Sequence, residues 1–193
     1  MKQPIDLVVI GGSAGAIDAL RRVLPELRAD FAPAVAIVIH LPANGASLLP
    51  GIFERAGGPR MKYAEDKEPI EAGTIYFATP DYHLLVERGR TFALSQDERV
   101  HFSRPAIDVL FETAAEAYGE HLLGIVLSGA NADGAAGLAA VAAAGGIAAV
   151  QSLDSSEMIA MPAAALHAVP AGIEVNLAAL ADFLRAHGAA DVG

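Results

Sequence analysis

The side chain best suited to covalent chemistry is Ser13, at the centre of the sequence Gly-Gly-Ser-Ala-Gly at residues 11–15. This sequence fits G-x-S-x-G, in which a serine lies on a sharp turn between a strand and a helix. An apolar run at 5–10 precedes the turn, and an amphipathic segment opens at Ala16. The free N–H groups and the positive dipole end of that helix would face whatever reacts with the serine. The pattern predicts a nucleophile beside an anion-stabilising helix end.

A serine hydroxyl needs a base to take its proton, and the base needs a carboxylate to orient it. His40 directly follows the apolar run at 34–39, and Asp133 lies in the loop after the run at 122–127. The carboxyl ends of parallel strands meet at one edge of a sheet, where ligands bind. We therefore predict a catalytic set of Ser13, His40 and Asp133. Its order along the chain differs from the Ser, acid, His order of α/β-hydrolases.

Each of these features also has a simpler interpretation. The turn at 11–15 could hold a phosphate or a cofactor, His40 could be a hydrogen-bonded structural residue, and Asp133 could cap the helix that follows it. Dinucleotide binding is the main alternative, but its G-x-G-x-x-G fingerprint requires glycine at Ser13, counted from Gly11. That alternative also expects an acidic residue where the second strand ends at His40.

Two further possibilities involve the middle of the chain. His83 is the second candidate for the base, or a residue on the substrate side, although its position favours an ordinary residue at the start of a strand. Asp81, His83 and Asp133 could form a metal site, but no metal-ligand spacing supports one.

The elements that must position these side chains alternate between strands and helices. This alternation predicts an α/β fold: a doubly wound, mostly parallel, Rossmann-like sheet with a small antiparallel β insertion. We expect a single domain over residues 1–193. The strands are predicted at 5–10, 34–39, 122–127 and 147–150, the inserted strands at 61–64, 74–78, 83–87 and 91–94, and the helices from 16, at 47–56, 106–118, 135–144, 161–168 and 177–187.

Composition excludes several classes of protein. Hydrophobic residues make up 53% of the 193 residues, which is enough for a sizeable core. The chain has no cysteine, so disulfides, thiolate zinc sites and cysteine nucleophiles are ruled out. A net charge of -10 argues against binding to nucleic acid. No apolar run approaches the roughly 20 residues that span a bilayer, so we expect no membrane insertion and a cytoplasmic location.

Several segments in fixed order give the chain a family resemblance. It resembles the catalytic domain of the chemotaxis protein-glutamate methylesterase, CheB, over nearly its whole length. The segments that carry the resemblance are 10–15, 39–42, 73–78 followed by Pro80 and His83, 104–111, 127–129, 133–137 and 161–162.

The resemblance implies hydrolysis of glutamate γ-methyl esters, with a related deamidation of glutamine, on the cytoplasmic domain of methyl-accepting chemoreceptors. The family's catalytic triad falls on Ser13, His40 and Asp133. We expect the backbone N–H groups of Ala14 and Ala130 to bind the oxyanion. No metal or cofactor is implied.

Three residues depart from the family pattern: Ala14 replaces the usual threonine, Ala16 the usual glycine, and Ala130 the usual methionine of the late loop. These departures keep a second interpretation open, a non-catalytic receptor-binding or scaffold domain of a chemosensory system. Family members commonly carry an N-terminal receiver domain, and the first predicted strand begins at Ile5. We therefore expect either a stand-alone enzyme without that gate or an excised domain.

Overall fold

A parallel β-sheet forms the centre of the protein. The computed structural model describes residues 4–41, 49–53 and 57–188. Seven strands of this described part pair in the order β3-β4-β2-β1-β7-β8-β9, and every pair is parallel. The strands are β1 (Leu7–Gly12), β2 (Ala34–Ile39), β3 (Arg60–Tyr63), β4 (Thr74–Phe77), β5 (His83–Val86), β6 (Phe92–Ser95), β7 (Leu122–Val126), β8 (Ile147–Gln151) and β9 (Ile173–Val175).

Helices cover both faces of the sheet. Successive side chains of β1 point to opposite faces, so Leu7 and Val9 lie in one buried cluster and Val8 and Ile10 in another. A strand buried on both faces is apolar along its whole length, which explains the continuous run in β1. The first cluster includes side chains of α3 (Ile107–Tyr118), α4 (Ala135–Ala143) and α5 (Ala160–Ala168), and the second includes side chains of α1 (Ala16–Val23), α2 (Leu49–Phe53) and α6 (Leu180–Gly188).

The predicted fold class is confirmed, but the antiparallel insertion is smaller than predicted. Only β5 and β6 pair in antiparallel fashion, whereas β3 and β4 join the main sheet as parallel strands. All four residues of β4 are buried, as expected of an interior parallel strand. The edge strand β9 was not predicted, because only one of its three residues is buried and it carries no periodic signal.

The observed boundaries differ modestly from the predicted ones. The first strand is Leu7–Gly12 rather than 5–10, and the last helix begins at Leu180, after a short 3₁₀ turn at Leu177–Ala179. The predicted helix at 47–56 is described only in part, as α2. The sequence Leu-Pro-Ala-Asn-Gly at 41–45 predicts a loop, and its residues 42–45 lie outside the described residues. Within the described ranges, no helix is long and apolar enough to span a bilayer.

The strand order determines where a site can form. β1 lies between β2 and β7, and the chain passes from one side of β1 to the other between β4 and β7. In doubly wound sheets, ligands bind at such a switch point, outside the carboxyl ends of the strands. The loops that follow β1, β2 and β7 therefore meet at one place.

Candidate active site

The turn that carries Ser13 connects β1 to α1 through a left-handed residue. Gly15 is the N-cap of α1 and has φ of 83°, a conformation that glycine adopts without steric cost. A Cβ atom on Gly12 would lie 2.5 Å from the Cβ of Ala16, so the turn is also tight in space. The Ser13 N–H donates to the carbonyl of Ser128 at 2.9 Å, which attaches the turn to the loop after β7.

A second contact holds the peptide that follows Ser13. The buried Ser128 hydroxyl donates to the carbonyl of Ala14 at 2.7 Å and accepts the N–H of Met158 at 2.8 Å. Sequence reasoning missed this serine, because its role depends on three loops that are distant along the chain. The turn that carries Ser13 is thereby fixed from two sides.

His40 and Asp133 are in direct contact. His40 Nε2 lies 2.8 Å from Asp133 Oδ2, and the side chains are 12% and 0% exposed. An ionised carboxylate only accepts hydrogen bonds, so Nε2 carries the hydrogen of this contact. His40 is thus oriented by Asp133 through Nε2, and Nδ1 is the ring nitrogen left for another partner.

The Asp133 carboxylate also binds the N-terminus of α3. Oδ2 accepts the N–H of Ile107 at 2.7 Å, and Oδ1 accepts the N–H of Asp108 at 2.9 Å. The N-cap residue of α3, Ala106, has no side chain that could do this. Asp133 therefore caps α3 rather than the helix that follows it, which corrects the capping interpretation of the sequence.

These bonds keep Asp133 ionised. Burial alone would raise its pKa, but the hydrogen bonds from His40 and from the backbone of Asp108 and Ile107 outweigh burial, so the pKa of Asp133 lies below its usual value. A buried carboxylate at a helix N-terminus also interacts favourably with the helix dipole.

Asp108 forms the reciprocal cap. Its Oδ1 accepts the N–H of Gly134 at 2.9 Å and that of Gly137 at 2.7 Å, at the start of α4. Burial and the nearby charge of Asp133 raise the pKa of Asp108, although the N–H bonds from Gly137 and Gly134 act in the opposite direction. The sequence carried no signal for this role, since an aspartate in the first turn of α3 normally serves its own helix.

Ser13 and His40 line the same cavity of about 300 Å³, together with Ala14 and Gly15. The structure does not place the Ser13 hydroxyl within hydrogen-bond distance of His40. The N–H groups of Ala14 and Ala130 have no acceptor among the described residues. Of these two donors, the N–H of Ala14 belongs to a residue that lines the cavity with Ser13, and Ala130 lies in the loop after β7.

The other candidates are not brought together. His83 is 2% exposed, and both of its ring nitrogens are engaged: Nε2 lies 3.0 Å from the carbonyl of Glu98, and Nδ1 accepts the N–H of Ala106 at 3.2 Å. Asp81 is bound by Arg104 at 2.9 Å. Neither residue shares a metal-binding arrangement with Asp133 among the described residues.

A different group has the spacing of metal ligands. Ligand atoms of His101, Asp108 and Asp133 lie within 4.8 Å of one another, the one such group in the described part of the chain. Both Asp133 oxygens and Oδ1 of Asp108 accept N–H bonds, and His101 lies against Asp108 Oδ2 at 3.3 Å. These contacts account for the cluster as part of the helix-capping arrangement.

Comparison with known proteins gives a consistent result. The family model described as CheB methylesterase matches residues 8–184. A relative from Leptospira interrogans is 43% identical over 181 residues, which are 93% of this chain and 94% of that protein. The protein-glutamate methylesterase/protein-glutamine glutaminase 1 of Rhodospirillum rubrum is 40% identical over 164 residues, which are 82% of this chain but 42% of that protein.

A solved structure agrees with the sequence matches. The crystal structure of the Thermotoga maritima CheB methylesterase catalytic domain superposes with a TM-score of 0.88 at 26% identity, covering 93% of this chain and 97% of that one. Fold, strand-end geometry and the two sequence comparisons converge, and the chain belongs to the CheB methylesterase family of carboxylic ester hydrolases.

Proposed function

We propose that this enzyme hydrolyses glutamate γ-methyl esters on the cytoplasmic domains of chemoreceptors, with Ser13 as nucleophile, His40 as base and Asp133 as the orienting acid. The observation that carries this proposal is the 2.8 Å contact between His40 Nε2 and the fully buried Asp133 carboxylate. A histidine held in this way by a carboxylate, in a cavity that it shares with a serine, is the arrangement that can activate a hydroxyl. Such a substrate places the enzyme in the cytoplasm.

In the first half of the reaction, Ser13 Oγ attacks the ester carbonyl carbon and His40 Nδ1 takes the hydroxyl proton. The developing imidazolium is stabilised by the ionised Asp133. The negative charge on the carbonyl oxygen is bound by the N–H groups of Ala14 and Ala130. His40 then returns the proton to the leaving oxygen, and methanol departs.

In the second half, water attacks the glutamyl–Ser13 ester. His40 removes a proton from the water, and the same N–H groups stabilise the second oxyanion. Collapse of this intermediate restores the serine hydroxyl and releases the glutamate carboxylate. Attack on a glutamine side chain follows the same steps with ammonia as the leaving group.

Replacement of the nucleophile tests the proposal. Ser13→Ala should abolish methanol release from a methylated chemoreceptor fragment, because the acyl-enzyme cannot form. Residual catalysis by the oxyanion groups alone would be lower than that of the parent enzyme by roughly 10⁵-fold or more. Methanol release is measured directly, and circular dichroism verifies the fold.

Ser95→Ala is the matched control, because Ser95 is a partly buried serine on β6 that does not line the cavity containing Ser13. It should leave methanol release unchanged. A serine-reactive phosphonate should label Ser13 in the parent. Full activity of a folded Ser13→Ala protein would refute the assignment, and absence of both labelling and turnover would support the scaffold alternative.

A further inference from the structure

A short hairpin beside the site displays an aromatic side chain to solvent. In residues 99–104, Val100 and Ser103 exchange two backbone hydrogen bonds, at 3.1 and 2.8 Å. His101 and Phe102 form the turn, with φ of 47° and 62°. Positive φ is uncommon for residues other than glycine and is costly for a bulky one. Phe102 is 95% exposed, so it contributes nothing to the core.

The hairpin borders a cavity that reaches the catalytic histidine. This cavity has a volume of about 400 Å³, and its wall includes Ile39, His40, Leu49, Arg99, Phe102 and Arg104. Apolar side chains dominate the part formed by β2 and α2. A group that enters this cavity therefore lies between an exposed aromatic ring and the base of the reaction.

The charges at the cavity favour an anionic ligand. Among the residues that the structure describes, the ionisable ones that line it are His40, Asp81, Arg99 and Arg104. Asp81 is occupied by Arg104, at 3.1 Å to Nε and 2.9 Å to Nη2. Arg99 lies 3.8 Å from the same carboxylate, and its side chain is 61% exposed. The described lining thus holds two arginines and one carboxylate, on a chain whose net charge is -10.

The hairpin is also anchored to the element that holds Asp133. His101 Nε2 lies 3.3 Å from Asp108 Oδ2, and the N–H of Asp108 binds the Asp133 carboxylate. The backbone of the hairpin is therefore linked to the helix whose N-terminus binds Asp133.

We propose that Phe102 and Arg99 recognise the protein segment that carries the ester by binding to it directly. Phe102 packs against an apolar side chain of that segment, and Arg99 pairs with a carboxylate beside the esterified residue. The ligand is an amphipathic, acidic segment of the substrate protein. This inference rests on the proposed function, because it assumes a protein ester at Ser13. It makes the hairpin a specificity element for a protein substrate over a small ester.

The test separates binding from turnover. In the Ser13→Ala background, the Kd for a methylated chemoreceptor cytoplasmic fragment is measured for Phe102→Ala, Arg99→Ala and Arg99→Glu. We expect each alanine variant to raise Kd at least about fivefold and Arg99→Glu to raise it further. Arg99→Lys, which keeps the charge, should recover part of the affinity. In the active enzyme, the ratio of kcat/KM for the fragment to that for a small methyl ester should fall by a similar factor.

Two control variants remove the same kinds of side chain, an exposed arginine and an exposed apolar residue, at positions that do not line the cavity. Arg28 is 80% exposed and lies 3.8 Å from Asp30, and Ile173 is an exposed apolar residue of β9. Arg28→Ala and Ile173→Ala should leave Kd within about twofold of the parent. Unchanged Kd in the Phe102 and Arg99 variants, or no binding of the fragment by the parent, would overturn the inference. Failure of the intact enzyme to release methanol would refute the proposed function instead. The comparison of Kd values would still decide whether Phe102 and Arg99 bind the substrate protein.

Discussion

At the scale of single residues, Asp133 has the greatest number of distinct roles. Its two oxygens accept one N–H from His40 and two from the first turn of α3. It thus orients His40, the proposed base, and caps a helix with one fully buried carboxylate. Activity and stability should therefore respond together when this carboxylate is changed.

Asp133→Asn tests this coupling. An amide keeps the shape of the side chain but turns an NH₂ toward donors, so one of the three N–H groups loses its acceptor. We expect kcat to fall roughly 10³- to 10⁴-fold, because the tautomer of His40 is no longer enforced. The free energy of unfolding should fall by about 1–3 kcal/mol, the cost of an unsatisfied buried group. Methanol release and urea denaturation measure the two effects.

Asp30→Asn provides the comparison, since Asp30 is an exposed carboxylate that pairs weakly with Arg28. It should change neither quantity measurably. A stable Asp133→Asn protein that retained wild-type turnover would remove Asp133 from the proposed mechanism.

The residue types and strand-end positions of Ser13, His40 and Asp133 could be predicted from the sequence, because parallel strands bring their carboxyl ends to one edge. The contacts of Asp108 and Ser128 could not. Asp108 caps α4 from α3, 26 residues away from Gly134 along the chain, and Ser128 holds the carbonyl of Ala14 across 114 residues. Local sequence patterns do not encode such pairings between distant segments.

At the scale of elements, the site depends on how closely α3 and α4 approach each other. The two helices exchange caps through Asp133 and Asp108, and their backbones nearly touch at Gly137. A Cβ atom at Gly137 would lie 2.5 Å from the Cβ of Phe111 and 3.0 Å from the Cα of Asp108. Any side chain at this position must push the helices apart.

Gly137→Ala should therefore destabilise the protein by about 1–3 kcal/mol, although alanine is the better helix former. The displaced α3 would also carry the N–H groups that hold Asp133, so kcat should fall as well. Thermal unfolding and methanol release report both changes.

Gly51 offers a matched test on another helix. It lies in α2, and a Cβ atom there would meet nothing within 4 Å among the residues that the structure describes. Gly51→Ala should raise stability by about 0.4–1 kcal/mol. Equal effects of the two substitutions would show that the approach of α3 to α4 is not what requires glycine at 137.

Strands and helices with a strong hydrophobic pattern could be predicted from the sequence. Short strands, whose place in a sheet depends on the strand that they pair with, were harder to predict. The buried runs of β1, β2, β7 and β8 and the apolar face of α3 are visible in the sequence. The short strands β3 and β4 were assigned to the wrong sheet, because four-residue strands do not show which partner they pair with. That choice depends on the burial of β4 against β2.

At the scale of the whole molecule, the residues at the two ends of the parallel strands have different roles. The carboxyl edge carries Ser13, His40 and the loop with Asp133, while Tyr118 lies near the opposite edge, at the end of α3. Tyr118 is 6% exposed and lines a cavity with Asp6 and Arg90. It contributes to the stability of the fold and has no part in the proposed chemistry, so its titration reports on folding alone.

Burial raises the pKa of Tyr118 to about 12, although the positive charge of the Arg90 guanidinium acts to lower this pKa. The guanidinium lies 4.6 Å from the centre of the Tyr118 ring. In the unfolded chain the phenol titrates near 10. Between these values the unfolded state loses the proton while the folded state keeps it. The contribution of the Tyr118 phenol to the free energy of unfolding is therefore fully present below pH 10. It is lost as the pH rises toward 12, by at most about 2.7 kcal/mol.

Tyr118→Phe removes this component and keeps the ring in place. Urea denaturation of both proteins at pH 9 and pH 11 should show the parent losing about 1 kcal/mol relative to the variant between the two pH values. Comparison of the two proteins cancels the titration of the other tyrosines and of the lysines. A difference between parent and variant that stays constant from pH 9 to pH 11 would mean that the folded and unfolded states release the Tyr118 proton alike. The Tyr118 phenol would then be exposed to solvent, and it would not be buried at the C-terminal end of α3 as the structure describes.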